Sequence, residues 1–77
     1  MGKTRVEEWE TYRNRKKHVE RHLVDGSLDS AINTYASLKS SVLPTLKGFD
    51  RAKGILGSMY LECRIWYAAN QKVGGRV

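Results

Sequence analysis

The sequence predicts a small all-α fold of two or three helices. Proline occurs once, at Pro44, no stretch shows the alternation of β-branched residues typical of a strand, and apolar residues recur at helical spacing. A chain of 77 residues can hold only one domain. We therefore expect a single helical hairpin or bundle over residues 1–77, with a loose C-terminal tail at residues 73–77.

The first predicted helix covers residues 4–23. Its apolar side chains share one face, with the aliphatic stem of Lys16 in the middle of that face. The members of the face are Trp9, Tyr12, Val19 and Leu23. Gly26 follows Asp25, and we expect it to end the helix because glycine tolerates the left-handed conformation at a helix C-terminus.

The position of Pro44 separates a second helix from a third. Ser27 is a good N-cap and Asp29 suits a first turn, so we expect the second helix over residues 27–41. Proline cannot donate to the carbonyl of Ser40 and crowds that turn, which favours a break or a sharp kink. Because proline is favoured in a first turn, the third helix is expected over residues 44–71.

A seven-residue register of apolar positions runs through residues 28–66. One position reads Leu28, Tyr35, Val42, Phe49, Leu56 and Cys63, and its partner reads Ala31, Leu38, Thr45, Ala52, Met59 and Trp66. A long coiled-coil rod is the rival interpretation of this register. Pro44 and three glycines argue against the rod, since each glycine costs about 1 kcal/mol in a helix interior.

The third helix carries two apolar faces on opposite sides. The first, called the aromatic face below, consists of Phe49, Ala52, Leu56, Met59, Cys63 and Trp66, flanked by Ile55, Tyr60 and Tyr67. The second, called the glycine face, consists of Gly54, Gly57, Ser58, Leu61, Ile65 and Ala68. We expect the aromatic face to form the core. Two short helices can hardly enclose a third, so we expect the glycine face to be the interface with another protein chain.

The two glycines of the glycine face allow two interpretations. In a continuous helix they leave room for the backbone of another helix to approach closely. Alternatively, Gly54 and Gly57 form a loop, and Ser58 caps a separate last helix. In both cases Leu61 and Ile65 need a surface to cover them.

The net charge of +6 is spread along the chain. Arg13, Lys17 and Arg21 share one stripe of the first helix and could contact phosphates. No aromatic ring is expected on that stripe, because Trp9 and Tyr12 are predicted to face the core. A solvated basic face and a contact with an acidic protein are the other interpretations.

No residue pattern points to catalysis, a cofactor or a metal. His18 and His22 have the spacing of a metal pair on a helix, but no suitable third ligand lies nearby, so we expect two exposed histidines. The serines near Pro44 have no His–Asp constellation, and no glycine-rich phosphate loop follows a strand. We therefore expect a protein that is not an enzyme and binds no cofactor.

The compartment is predicted from the cysteine, the N-terminus and the hydropathy. Cys63 is the only cysteine, cannot form an internal disulfide and suits a reducing compartment. The chain opens on charged sequence without a secretory signal, and no apolar run reaches the ~18 residues of a membrane span. We expect synthesis in the cytoplasm and no membrane partner.

Three stretches resemble the small helical proteins encoded among the head and packaging genes of tailed bacteriophages. They are EWETYR at residues 8–13, HLVDGS at residues 22–27 and AKGILG at residues 52–57, in the same order along the chain. The resemblance implies a non-enzymatic part in virion assembly, bound to a portal or capsid protein, and it supplies no functional residues. The net charge of +6 differs from the more acidic members and keeps nucleic-acid contact open.

The function predicted from the sequence is that of a small structural or assembly protein. It would dock through the glycine face onto other subunits, as a homo-oligomer or in a larger assembly such as a phage particle. The alternatives are a small basic DNA- or RNA-binding protein in packaging or regulation, and an inhibitor of a host protein.

Overall fold

The computed structural model describes residues 4–74, with side chains described through Gln71. The first helix, α1, spans Arg5–Asp25, the second, α2, spans Leu28–Ser37, and the third, α3, spans Gly48–Gly74. A π-helical turn at Leu38–Val42 and a 3₁₀ turn at Leu43–Thr45 connect α2 to α3. The described residues contain no strand, so the predicted all-α class is confirmed. Of the predicted tail, residues 73–74 belong to α3 and residues 75–77 lie outside the described residues.

Both ends of α1 are fixed by hydrogen bonds encoded locally. The hydroxyl of Thr4 accepts from the Glu7 amide at 3.1 Å, and the Glu7 carboxylate accepts from the Thr4 amide at 3.0 Å. This capping box is a sequence signal that the prediction overlooked. Gly26 ends the helix as predicted, with a φ of 81°. The Ser27 amide then donates to the His22 carbonyl at 2.9 Å, which completes a Schellman motif.

The connection before α3 is longer than predicted. The helical path widens after Ser37, and the Leu43 amide donates to the Leu38 carbonyl, five residues back. Pro44 lies in the 3₁₀ turn, so the expectation that it begins the third helix is wrong. Leu46 is extended, and Gly48 has a φ of 59°, which only glycine adopts without strain. The predicted break is therefore present, but α3 begins four residues after Pro44.

The core lies where α1, α2 and the glycine face of α3 meet. Its buried members are Tyr12, Val19, Ala31, Tyr35, Leu38, Val42, Leu46 and Leu61. Trp9, Leu23, Leu43 and Ile65 pack against it while partly exposed. So small a core can cover only one side of a 27-residue helix.

The glycine face points into the chain's own core, which corrects the expectation that it docks on another protein. Leu61 is fully buried and Ser58 is 4% exposed, with no partner for the Ser58 hydroxyl among the described residues. Of the other members of the face, Gly54 is buried, and Gly57, Ile65 and Ala68 are partly buried. Helix α3 runs through this segment without interruption, so the interpretation of residues 54–58 as a loop is wrong.

The heptad register predicts the core correctly on one side of the break and incorrectly on the other. Before the break it selects the buried residues Ala31, Tyr35, Leu38 and Val42. After the break its members are the aromatic face, and all six are exposed. A heptad count assumes one continuous helix. The connection instead contains a π-helical turn, a 3₁₀ turn, the extended Leu46 and the left-handed Gly48. The connection thus turns the opposite face of α3 inward.

The two glycines make room for core side chains of the same chain, Gly57 for Tyr12 and Gly54 for Leu43 and Leu46. The Tyr12 hydroxyl, on α1, donates a buried hydrogen bond to the Gly54 carbonyl at 2.7 Å. A Cβ atom on Gly57 would overlap that hydroxyl, and one on Gly54 would lie 2.6 Å from a methyl of Leu46. The prediction that the backbone of another helix approaches closely at these glycines is therefore wrong, because side chains of the same chain fill the space.

The Tyr12–Gly57 contact predicts a change of sign in a double-mutant cycle. Gly57→Ala should destabilise the chain by about 1 kcal/mol, because displacing the buried hydroxyl costs ~1–3 kcal/mol and the gain in helix propensity offsets only ~1 kcal/mol. In the Tyr12→Phe background the hydroxyl is gone, so Gly57→Ala should stabilise. Urea unfolding measures both effects, and the same sign in both backgrounds would contradict the contact.

Tyr35 of α2 has a raised pKa. Burial of the ring, which is 9% exposed, raises its pKa to about 12, and the negative charge of Glu62 on α3 adds to the effect. The ammonium group of Lys39 lies 3.7 Å from the same carboxylate. Tyr35 is therefore held neutral in a pH range where an exposed tyrosine ionises.

This pKa predicts a loss of stability in alkali. Between pH 10 and about 12 the unfolded chain releases the Tyr35 proton while the folded chain retains it, so the free energy of unfolding should fall with rising pH. The slope due to Tyr35 reaches at most about 1.4 kcal/mol per pH unit. Denaturation at several pH values should show that Tyr35→Phe removes this slope. The control Tyr67→Phe, at a tyrosine that is 63% exposed, should keep it.

Candidate protein-docking face

The aromatic face of α3 and its flanks carry seven of the ten large hydrophobic side chains that are exposed among the described residues. Seven large side chains on and beside it are 43% to 72% exposed. They are Phe49, Ile55, Leu56, Met59, Tyr60, Trp66 and Tyr67. On a scale of ~150–250 Å² for an aromatic side chain, they leave roughly 700 Å² of contiguous surface in water. A typical monomer exposes no apolar patch above ~300–600 Å², so this face resembles an interaction surface.

The six central residues of the face follow a strict heptad pattern. Phe49, Leu56 and Cys63 occupy one core position, and Ala52, Met59 and Trp66 occupy the other. A 3.5-residue period is the spacing that keeps a seam aligned with a second helix wound around the first. The three pairs of seam residues lie on an uninterrupted helix. The register that failed to predict the core of α3 therefore marks a seam on its outer side.

Polar contacts hold the edge of the face that borders α1. The guanidinium of Arg64 donates to the Tyr60 hydroxyl at 3.1 Å, and the ammonium of Lys16 lies 5.2 Å from the centre of the Tyr60 ring. Lys53 lies 4.4 Å from the centre of the Trp9 ring and 3.7 Å from the carboxylate of Asp50. This edge is therefore positively charged and ordered by contacts between helices.

The predicted phosphate stripe is exposed on α1. The guanidinium of Arg13 lies 3.6 Å from Glu10, and that of Arg21 lies 4.0 Å from Asp25, while Lys17 has no ion pair with the described residues. Both charge pairs are short-range and exposed, so they reduce the local field without burying the cations.

The structure places an aromatic ring beside the basic stripe, where the sequence predicted none. An open groove of about 250 Å³ between α1 and α3 is lined by Trp9, Tyr12, Arg13, Lys16, Lys17, Glu20, Lys53 and Gly57. The Trp9 ring is partly exposed and stacks on Tyr12 at 5.2 Å between ring centres. Arg21, the third member of the stripe, does not line this groove.

No metal site or membrane span is found in the described part of the chain. No three His, Cys, Asp or Glu side chains there are grouped closely enough to hold a metal ion. His18 is exposed, as expected, and His22 is partly buried. Within the described residues, no helix combines the length and the apolar character that crossing a membrane requires.

Comparison with known proteins finds no relative of this chain. No protein-family model matches the chain, and neither a curated protein nor a solved structure matches it.

Proposed function

We propose that this protein is a non-enzymatic assembly component that docks on other protein through the aromatic face of α3. The observation that carries the proposal is the exposure of seven large apolar side chains on one side of one helix. Leaving about 700 Å² of apolar surface in water would cost roughly 15–20 kcal/mol at ~25 cal/mol per Å². Contact with a partner recovers a large part of that free energy.

The limited core supports the same proposal. A chain of this length buries only about 60% of its unfolded surface and is marginally stable alone. Its single cysteine cannot cross-link the fold internally. A partner covering α3 would supply the stabilisation that a disulfide or a metal gives other small domains.

The setting that we propose follows from the resemblance of three stretches to small phage head and packaging proteins. In that setting the chain is a minor component of a virion, made in the host cytoplasm and bound to the portal or capsid. An inhibitor that binds a single host protein would use the same aromatic face.

Site-specific photo-cross-linking tests the docking proposal. A benzophenone amino acid at Leu56 should form a discrete protein adduct in cells that make the chain, because Leu56 is 66% exposed at the centre of the face. Trp66→Glu, at the same face, should abolish the adduct. The matched control is the same amino acid at Asn33, an exposed position on α2. The proposal fails if Leu56 gives no more adduct than Asn33, or if Trp66→Glu leaves the adduct unchanged.

The groove between α1 and α3 supports nucleic-acid binding as a second candidate function. It brings Arg13, Lys17 and Lys53 beside the Trp9 ring, and cations around a stacking surface are the elements of a single-strand binding site. Glu20 in the same groove opposes this function. Binding of this kind would weaken steeply with salt and would be lost on reversal of Arg13, Lys17 and Lys53 to Glu.

A further inference from the structure

We propose that the occupant of the aromatic face is a second copy of this chain, whose α3 packs antiparallel on the first. The inference rests on the proposed function, since it names the partner that docks there. In the resulting dimer each α3 has its own α1 and α2 on the glycine face and the partner's α3 on the aromatic face. Both apolar faces of α3 are then buried, as is normal for a helix that is apolar on nearly all sides.

The pattern of the face favours a straight helical partner at least as long as the seam. Its heptad seam extends over residues 49–66, which is about 27 Å at ~1.5 Å per residue, along the 27-residue helix α3. A curved or short surface would leave the ends of such a seam uncovered. The chain itself contains a matching straight helix with the same seam, namely α3.

The area of the face fits a stable dimer. The roughly 700 Å² estimated for its large side chains compares with about 800 Å² per partner in a standard protein–protein interface. Phe49, Trp66 and Tyr67 are each more than 60% exposed, and aromatic residues of this kind are enriched in interfaces.

An antiparallel register pairs the two seams without a gap. With the two-fold axis between Gly57 and Ser58, Leu56 of each copy lies level with Met59 of the other. The next layers outward place Ala52 opposite Cys63, and Phe49 opposite Trp66. Every residue at one seam position thus meets a residue at the other position, which is the layer pattern of an antiparallel helix pair.

Charge favours the antiparallel over the parallel arrangement. Residues 47–53, at the start of α3, include Lys47, Arg51 and Lys53 but only one acid, Asp50. A parallel pair would bring these two basic segments level with each other. The antiparallel register separates them by about 22 Å along the helix axis, at ~1.5 Å per residue. That distance exceeds the Debye length of ~8 Å at physiological salt, and the helix dipoles also oppose each other favourably.

Disulfide trapping distinguishes the register. Under mild oxidation the Ala52→Cys variant should form a covalent dimer through Cys63 of the other copy, and the wild-type chain should form none. Ala52→Cys/Cys63→Ser is the matched control and should also form none, because equivalent positions lie about 16 Å apart along the axis, at ~1.5 Å per residue. A Cys63–Cys63 disulfide that forms as readily in the wild-type chain would overturn the antiparallel proposal.

Sedimentation tests the second copy itself. The wild-type chain should sediment at twice its mass of 8.8 kDa, and dilution should dissociate it. Met59→Glu should weaken association more than about tenfold with helicity retained. The substitution occurs in both copies, so the dimer would have two unpaired carboxylates buried near the centre of its interface. Ile32→Glu, at a position on α2 that is 42% exposed, should leave the dimer intact.

The outcomes separate this inference from the proposed function. If the chain sediments as a monomer at all concentrations, the proposal that a second copy occupies the aromatic face is overturned. If position 56 still cross-links to a different protein in that case, docking through the aromatic face stands. If position 56 cross-links to no protein, both proposals fail.

Discussion

The contact of Tyr12 with the backbone of α3 decides the rest of the structure. Its ring is 1% exposed, and its hydroxyl donates to the Gly54 carbonyl at 2.7 Å. On this side of α3, Gly57 leaves room for that hydroxyl, and Gly54 leaves room for methyl groups of Leu43 and Leu46. The glycine face must therefore turn inward. As a consequence the larger and more apolar face of the same helix must turn outward.

The connection between α2 and α3 makes this orientation possible. A continuous helix through Pro44 would have kept the heptad register on one side and placed the aromatic face in the core. The π-helical turn, the 3₁₀ turn, the extended Leu46 and the left-handed Gly48 change the direction and the phase of the chain together. The side chain of Leu46, 1% exposed, then closes the core beside Gly54.

The sequence predicts the helices well because their signals are local. Gly26 ends α1, Pro44 marks the break before α3, and the two apolar faces of α3 follow from residue spacing alone. Which face is inside cannot be read from local signals, because it depends on the phase of α3 after several non-helical residues. Hydrophobicity favoured the aromatic face, whereas close packing against Tyr12 selected the glycine face. The sequence signal for an inward glycine face was the pair of glycines one turn apart. They permit the close contact of Tyr12 with α3, whereas the large side chains of Phe49 and Trp66 on the other face would prevent it.

The free energy of unfolding of two single variants, measured in dilute solution, tests the orientation of α3 most directly. Leu61→Glu should destabilise the chain by more than about 3 kcal/mol, because it puts an unpaired charge at a fully buried position. Leu56→Glu should change the stability of the dilute chain by less than about 1 kcal/mol, because that side chain is 66% exposed. The reverse order, with Leu56→Glu the more damaging, would contradict the account and would place the aromatic face in the core.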